Sequence, residues 1–210
     1  KLTWARAAVG FATETDDIME LLGLVDGSWS VAGLEPDQLL RWSLAIKTAA
    51  YGLPQALDRV EDERRRDPSD RGQRAAIRAT VSQPDAEVKR VAWERIDGEG
   101  YGSDYLTRAA IAGFQWPHQR ELTAPYRDRF YGRVAGVYST RDHAYAECYL
   151  RWLVPDLWAE PDEAERIRAL AAGLGSQHDR LQRHLGEVAD DMDRDIRVRA
   201  FAAAEPVLVG

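Results

Sequence analysis

Two prolines, Pro68 and Pro84, punctuate the stretch that most limits what this chain can fold into. Residues 67–96 read D-P-S-D-R-G-Q-R-A-A-I-R-A-T-V-S-Q-P-D-A-E-V-K-R-V-A-W-E-R-I, two helices back to back, each opened by a proline-containing turn. Asp67 is expected to cap the first, with Pro68 at the first helical position, where a missing N–H costs nothing. Ser82 or Gln83 with Pro84 repeats the device, and Asp85 and Glu87 put negative charge on the positive first turn. Gly98, just past Ile96, is placed to stop the second helix in a left-handed cap.

On the first helix Gln73, Ala76, Ile77, Thr80 and Val81 share one face. On the second, Val88, Val91, Ala92 and Ile96 do so, while Ala86 and Trp93 form another apolar stripe. A helix with two apolar stripes is held between neighbours rather than laid on one core. The pattern predicts stacked antiparallel helical hairpins, of the kind found in HEAT or armadillo arrays.

The flanking sequence continues in the same manner. Short helices are expected over 2–11 and 15–24, the second capped by Thr13 or Thr15. Pro36 and Asp37 open a longer one in which Leu39, Trp42, Ile46, Ala49 and Leu53 form a stripe, and 55–66 is a further helix ending in Arg64, Arg65 and Arg66. After a glycine-rich loop at 97–102, Ser103 or Asp104 caps a helix that runs to Phe114, where Gln115-Trp116-Pro117 breaks the chain. Helices over about 118–123, 125–138 and 140–154 follow. Pro161 opens the next, with Ala164, Ile167, Leu170, Ala171 and Leu174 inward. The last helix, 177–203, carries Leu181, Leu185, Val188, Met192 and Ile196 on one face. Nowhere does a β-branched alternating run stand between turns, so the fold class is all-α. No fixed repeat period is visible, and a compact bundle remains the alternative to a solenoid.

The 210 residues fit a single helical domain over 1–210, long enough to bury a sizeable core. Hydrophobic residues make up 45% and charged residues 30%, a globular balance. No apolar run nears the roughly 20 residues that span a bilayer, and the opening K-L-T-W-A-R-A-A-V-G lacks the long apolar region of a signal peptide. A net charge of −7 argues against nucleic acid as a partner, because binding phosphates needs a clustered positive surface. Cys148 is alone, which excludes a disulfide framework and points to a reducing compartment, read as the cytoplasm; its spacing from Tyr145, Tyr149 and Trp152 predicts a buried structural role. The bias of three lysines against many arginines carries no chemical reading. Because the only methionines are Met19 and Met192, Lys1 is not expected to be a translational start, and the chain is expected to be a piece of a longer one.

Catalytic patterns fail one after another. His118, His143, His178 and His184 include no H-E-x-x-H pair, so no zinc site is expected. Asp191, Asp193 and Asp195 imitate the start of a calcium loop, but Ile196 stands where glycine is needed and Ala202 where glutamate is. Gly98, Gly100 and Gly102 precede no G-K-[ST] and follow no strand. Ser139, Asp142 and His143 lie too close together in sequence to suggest a triad. The chain is expected to carry no catalytic residue and no metal or cofactor of its own.

The D-P-S-D-x-G lead, the A-x-x-A-T-V-S-Q-P-D-A-E-V-K run and the A-W-E-R-I close resemble the C-terminal helical domain of aminopeptidase N-type zinc aminopeptidases. L-L-G-L-V-D-G at 21–27, L-E-P-D-Q-L-L-R-W at 34–42 and G-F-Q-W-P-H-Q-R-E-L-T-A-P-Y at 113–126, with Phe130 and Tyr131 beyond, extend the likeness over most of the chain, in the version typical of actinobacterial-type members. The resemblance implies a HEAT-like, right-handed superhelix that closes over the active site of a zinc peptidase and guides peptide tails. It implies zinc in the parent enzyme only, the catalytic domain of the same polypeptide and peptide substrates as partners, and neither nucleic acid nor membrane. The zinc-binding helix and the G-A-M-E-N-type strand of that family have no counterpart here. A free-standing HEAT-like protein-binding scaffold is the competing expectation. In the first reading, Gln115, Trp116, Arg120 and Tyr126 are the candidates to face a peptide: the helix break brings them to a surface, Trp116 offers a flat apolar face, and Arg120 can meet a carboxylate in bidentate fashion.

Overall fold

A computed structural model describes residues 1–204. It is all-helical, with no strand among the described residues. The chain packs as two compact units, the first 1–122 and the second from Thr123 onward.

In the first unit the helices are α1 (Leu2–Phe11), α2 (Thr15–Asp26), α3 (Gln38–Ala50), α4 (Ala56–Arg66), α5 (Asp70–Val81), α6 (Ala86–Asp97) and α7 (Asp104–Phe114). Asp37 caps α3 by accepting from Leu40 N at 2.9 Å, and Ser103 caps α7 by accepting from Leu106 N at 3.3 Å, as the cap residues predict. Packing follows alternation: α1 lies on α3, α3 on α5 and α5 on α7, while α2, α4 and α6 each lie against the helices on either side of them in sequence. Alternate helices therefore form a row. Trp42, Ala45 and Ala49 of α3, Ala56 and Val60 of α4 and Ala76 and Ala79 of α5 share one core, and Val9, Leu22, Leu40 and Leu44 share another where α1 and α2 meet α3.

The central pair differs from its expected form in several details. Ser69, not Asp67, caps α5, its hydroxyl accepting from Gly72 N at 3.2 Å. Asp67 is engaged instead by the indole N–H of Trp42 at 2.9 Å and the hydroxyl of Ser69. Asp85 rather than Ser82 or Gln83 caps α6, accepting from Val88 N at 2.9 Å. Gly98 ends α6 at φ −109, outside the left-handed region, which Gly100 occupies two residues later at φ +73. The inward face of α5 is Gly72, Ala76, Ala79 and Val81, while Gln73 and Thr80 are exposed. Small residues win there because α5 is pressed between α3 and α7: a Cβ on Gly113 of α7 would stand 2.5 Å from the Arg78 carbonyl oxygen. On α6 a single face is buried, Lys89, Ala92, Trp93 and Ile96; Val91 and Ala86 face solvent.

Helix α8 (Arg120–Thr123) spans the division between the units. In the second unit α9 (Arg127–Thr140) packs on α10 (His143–Leu153), and α11 (Pro161–Gly173) packs along α12 (Asp179–Ala204). Phe130 of α9 stacks on Tyr149 of α10, their ring centroids 6.1 Å apart. Ala164 and Ile167 of α11 and Leu181, Leu185, Ala189 and Met192 of α12 are fully buried; Ala189 takes the place expected for Val188, which is half-buried. Cys148 is half-buried between the buried Tyr145 and Tyr149 in sequence, less enclosed than expected.

Candidate functional site

The segment that follows α7 crosses the carboxyl ends of the row. Pro117 forces Trp116 into an extended conformation, φ −139 and ψ 139, and opens a turn of 3₁₀ helix, Pro117–Gln119. From that turn the buried Gln119 donates its amide to Ala50 O, the last residue of α3, at 2.6 Å, and to Ser82 O, just past α5, at 2.8 Å. His118 also reaches Ala50 O, at 2.9 Å, and stacks on Tyr51 with ring centroids 3.9 Å apart.

Two lysines complete the arrangement. Lys89, fully buried, donates to Val81 O at the end of α5 and to Phe114 O at the end of α7, both at 2.8 Å. Lys47, in the last turn of α3, donates to Gly10 O near the end of α1 at 3.2 Å and lies 5.4 Å from the Tyr51 ring and 5.9 Å from that of Trp116. The last carbonyls of a helix lack intrahelical partners and carry its negative pole, so donors and cations belong there. Burial draws Lys89 down to about 7, and it pulls Lys47 below the ordinary lysine value as well. A neutral amine still has two N–H groups, enough for the two carbonyls that Lys89 serves.

Of the four candidates read from the sequence, Trp116 and Gln115 are half-buried, and the indole N–H of Trp116 has no hydrogen-bond partner among the described residues. Arg120 pairs with its neighbour Glu121 at 3.4 Å. Tyr126 belongs to the second unit, where it is buried, with the Arg129 guanidinium 5.2 Å from its ring. Gln115, Trp116 and Arg120 thus share the first unit and Tyr126 does not. The sequence reading missed Lys47, Tyr51, His118, Gln119 and Lys89. One signal was present: Lys89 stands three, four and seven residues before Ala92, Trp93 and Ile96, on the inward face of α6.

Among the described residues no group of three or more histidine, cysteine, aspartate or glutamate side chains is placed to hold a metal ion. No helix among them is long and apolar enough to cross a membrane.

No family model matches the sequence. Over 204 residues, 97% of its length, the chain is 30% identical to aminopeptidase N of Streptomyces lividans. The chain is similar to a part of aminopeptidase N. The match spans 24% of that protein, so the chain has about a quarter of the length of the curated relative it resembles. The aminopeptidase N likeness runs through both packing units, since it leaves out only a few residues of the chain.

Proposed function

We propose that the chain is the non-catalytic C-terminal domain of a zinc aminopeptidase, closing the chamber over the active site and gating peptide substrates. The observation that carries this reading is the match to aminopeptidase N over nearly the whole chain. The row of alternate helices supports it, because a stack of hairpins offers a continuous wall that excludes water and restricts access without supplying a ligand to the metal. In this reading the wall is a HEAT-like superhelix. The zinc is held by the catalytic domain of the same polypeptide; the residues of this chain do not fit it, since His118 is bound to Ala50 O, His143 to Glu147 and His184 to Tyr138. Substrates are peptides releasing N-terminal residues, the enzyme works in the cytoplasm, and neither nucleic acid nor membrane is a partner.

Within this reading Gln115, Trp116 and Arg120, in the segment that follows α7, face a peptide. In the full polypeptide, Arg120→Ala is expected to change the dependence of cleavage on peptide length or C-terminal group by roughly tenfold to a hundredfold, the scale of one charge-assisted contact. Cleavage of a single-residue chromogenic substrate stays unchanged. Equal effects on both substrates, or a fall in thermal stability alone, would give the segment a purely structural role.

A further inference from the structure

Between the turn that joins α3 to α4 and the turn that joins α5 to α6 lies an open groove of about 410 Å³. Ala49, Leu53 and Ala56, all buried, give it an apolar floor, and the exposed Leu57 and Pro84 line it as well. Two carboxylates share the lining: Asp58, in the first turn of α4, and Asp85, which uses one oxygen to cap α6. No lysine, arginine or histidine among the described residues lines this groove. The charge is not balanced from the side either. Along α4 the groove meets a second hollow of about 320 Å³, which shares Gln55 and Asp58 with it and adds Asp62. The arginines of that hollow are engaged, Arg59 by Asp26 at 2.6 and 3.2 Å and Arg66 by Glu63 at 2.8 Å. Asp58 forms no ion pair among the described residues. Gln55, where the two hollows join, is the one described residue other than glycine in the left-handed region, at φ +59. Strain of that kind persists only where the surroundings hold it, and it gathers at ligand sites.

We infer that the groove seats a basic side chain, arginine or lysine, of an extended peptide. Such a side chain joins an apolar stem to a cationic head. The stem matches Leu53, Ala56, Leu57 and Pro84, and the head matches Asp58 and the other oxygen of Asp85. An acidic or a purely apolar occupant would cover those carboxylates without pairing them, which is costly. The groove also adjoins the segment after α7. Gln119 holds the carbonyls of Ala50 and Ser82, each next in sequence to a lining residue, Ala49 and Gln83. That the occupant is a substrate peptide rests on the peptidase reading; the charge and shape of the groove do not.

The test is photolabelling of the full polypeptide. The probe is an N-acetylated, C-amidated pentapeptide with a diazirine-bearing leucine beside one arginine. It is set against the same peptide with citrulline, which keeps the shape and loses the charge. The acetyl group blocks removal of the first residue, so binding is read whatever the enzyme cleaves. Labels are expected within 49–58 and 83–85, at least about threefold more with arginine than with citrulline. Asp58→Asn combined with Asp85→Asn is expected to abolish that preference, and asparagine caps as well as aspartate, so α6 keeps its start. If the double variant does not fold, the two peptides on the wild type decide the matter. Equal labelling by both peptides, or labels elsewhere, would overturn the proposal. So would a wild-type polypeptide in which these residues take no label because its own chain or a second copy covers them. Hydrolysis of a single-residue chromogenic substrate, recorded on the same samples, tests the aminopeptidase reading separately: its absence with labelling intact would remove the reaction and keep the site.

Discussion

The buried lysines of the first packing unit and the buried glutamate of the second sit at opposite poles of the helices they serve. In the first, Lys89 sits at the carboxyl ends of α5 and α7 and Lys47 at that of α1. In the second, the buried charge is Glu163, in the first turn of α11, where it accepts from the Tyr131 hydroxyl at 2.5 Å and pairs with Arg127. A helix presents partial positive charge at its amino end and partial negative charge at its carboxyl end, so Lys89, Lys47 and Glu163 each face a pole of the sign they need, while the buried Glu63 of α4 is held by Arg41 and Arg66. The supporting groups differ. Glu163 has a full countercharge in Arg127, whereas Lys89 is bound by carbonyls alone in the hydrogen bonds described. An ion without a countercharge in a dry site shifts its protonation, and Lys89 does so.

The largest effect expected from this contrast is on pH dependence. The folded chain holds the Lys89 proton only below about pH 7, while the unfolded chain holds it up to the ordinary lysine value of 10.5. Between those limits the unfolded state binds one more proton, so stability rises with pH. From pH 7.5 to 9.5 the gain is about 2–3 kcal/mol at ~1.4 kcal/mol per unit, read from urea unfolding. In Lys89→Met this slope disappears, and the variant compares worse with the wild type at pH 9.5 than at 7.5 because the Val81 and Phe114 carbonyls have lost their donor. Equal slopes in the two proteins would show that Lys89 keeps its charge throughout. Above pH 10 the tyrosines intervene with the opposite sign: burial raises Tyr131 and Tyr138 to about 12, so the upper limit of the comparison matters.

A smaller loss is expected at the other pole. Glu163→Gln keeps the shape but removes the charge facing Arg127, at a cost of about 2 kcal/mol. Arg127 keeps part of its side chain in solvent, which limits the damage. The loss should be flat from pH 6 to 9, measured by the same denaturant series. A loss confined to one end of that range would tie Glu163 to some other titrating group. The least effect belongs to Lys47→Met, about 1 kcal/mol for one hydrogen bond at the row's end. A loss as large as that of Lys89→Met at pH 9.5 would make the two lysines equivalent and erase the gradation between them.

Much of the fold was legible because local signals are strong where cap, proline and stripe agree. Asp37 and Pro161 mark helix starts that the structure keeps, and at α7 it takes Ser103 of the two caps that the sequence offers, whereas α10 begins at His143 under Asp142 rather than at Thr140. At α5 both Asp67 and Ser69 can cap, and the choice is made by Trp42, 25 residues away, whose indole takes Asp67. Such a competition is not visible in a window. The inward face of α5 was misread for a related reason: pattern reading favours large apolar residues, whereas close helix approach selects Gly72, Ala76 and Ala79. The segment that follows α7 was the hardest to see. Trp116 stood out by its neighbours, but Lys89 and Gln119 act on backbone carbonyls, and carbonyls leave no mark in a sequence.

Lys89 also makes the first unit a timekeeper of its own opening. An amine that gives up its proton near neutrality is free to react without losing one first, yet this one is walled off completely, and opening the site returns it to the ordinary lysine value, while Lys1 lies on the surface. Of the three lysines in the chain, the most deeply buried is the last that an acylating reagent can reach. Its acylation rate therefore counts how often α5, α6 and α7 part, in a currency that neither the surface lysine nor the many arginines share.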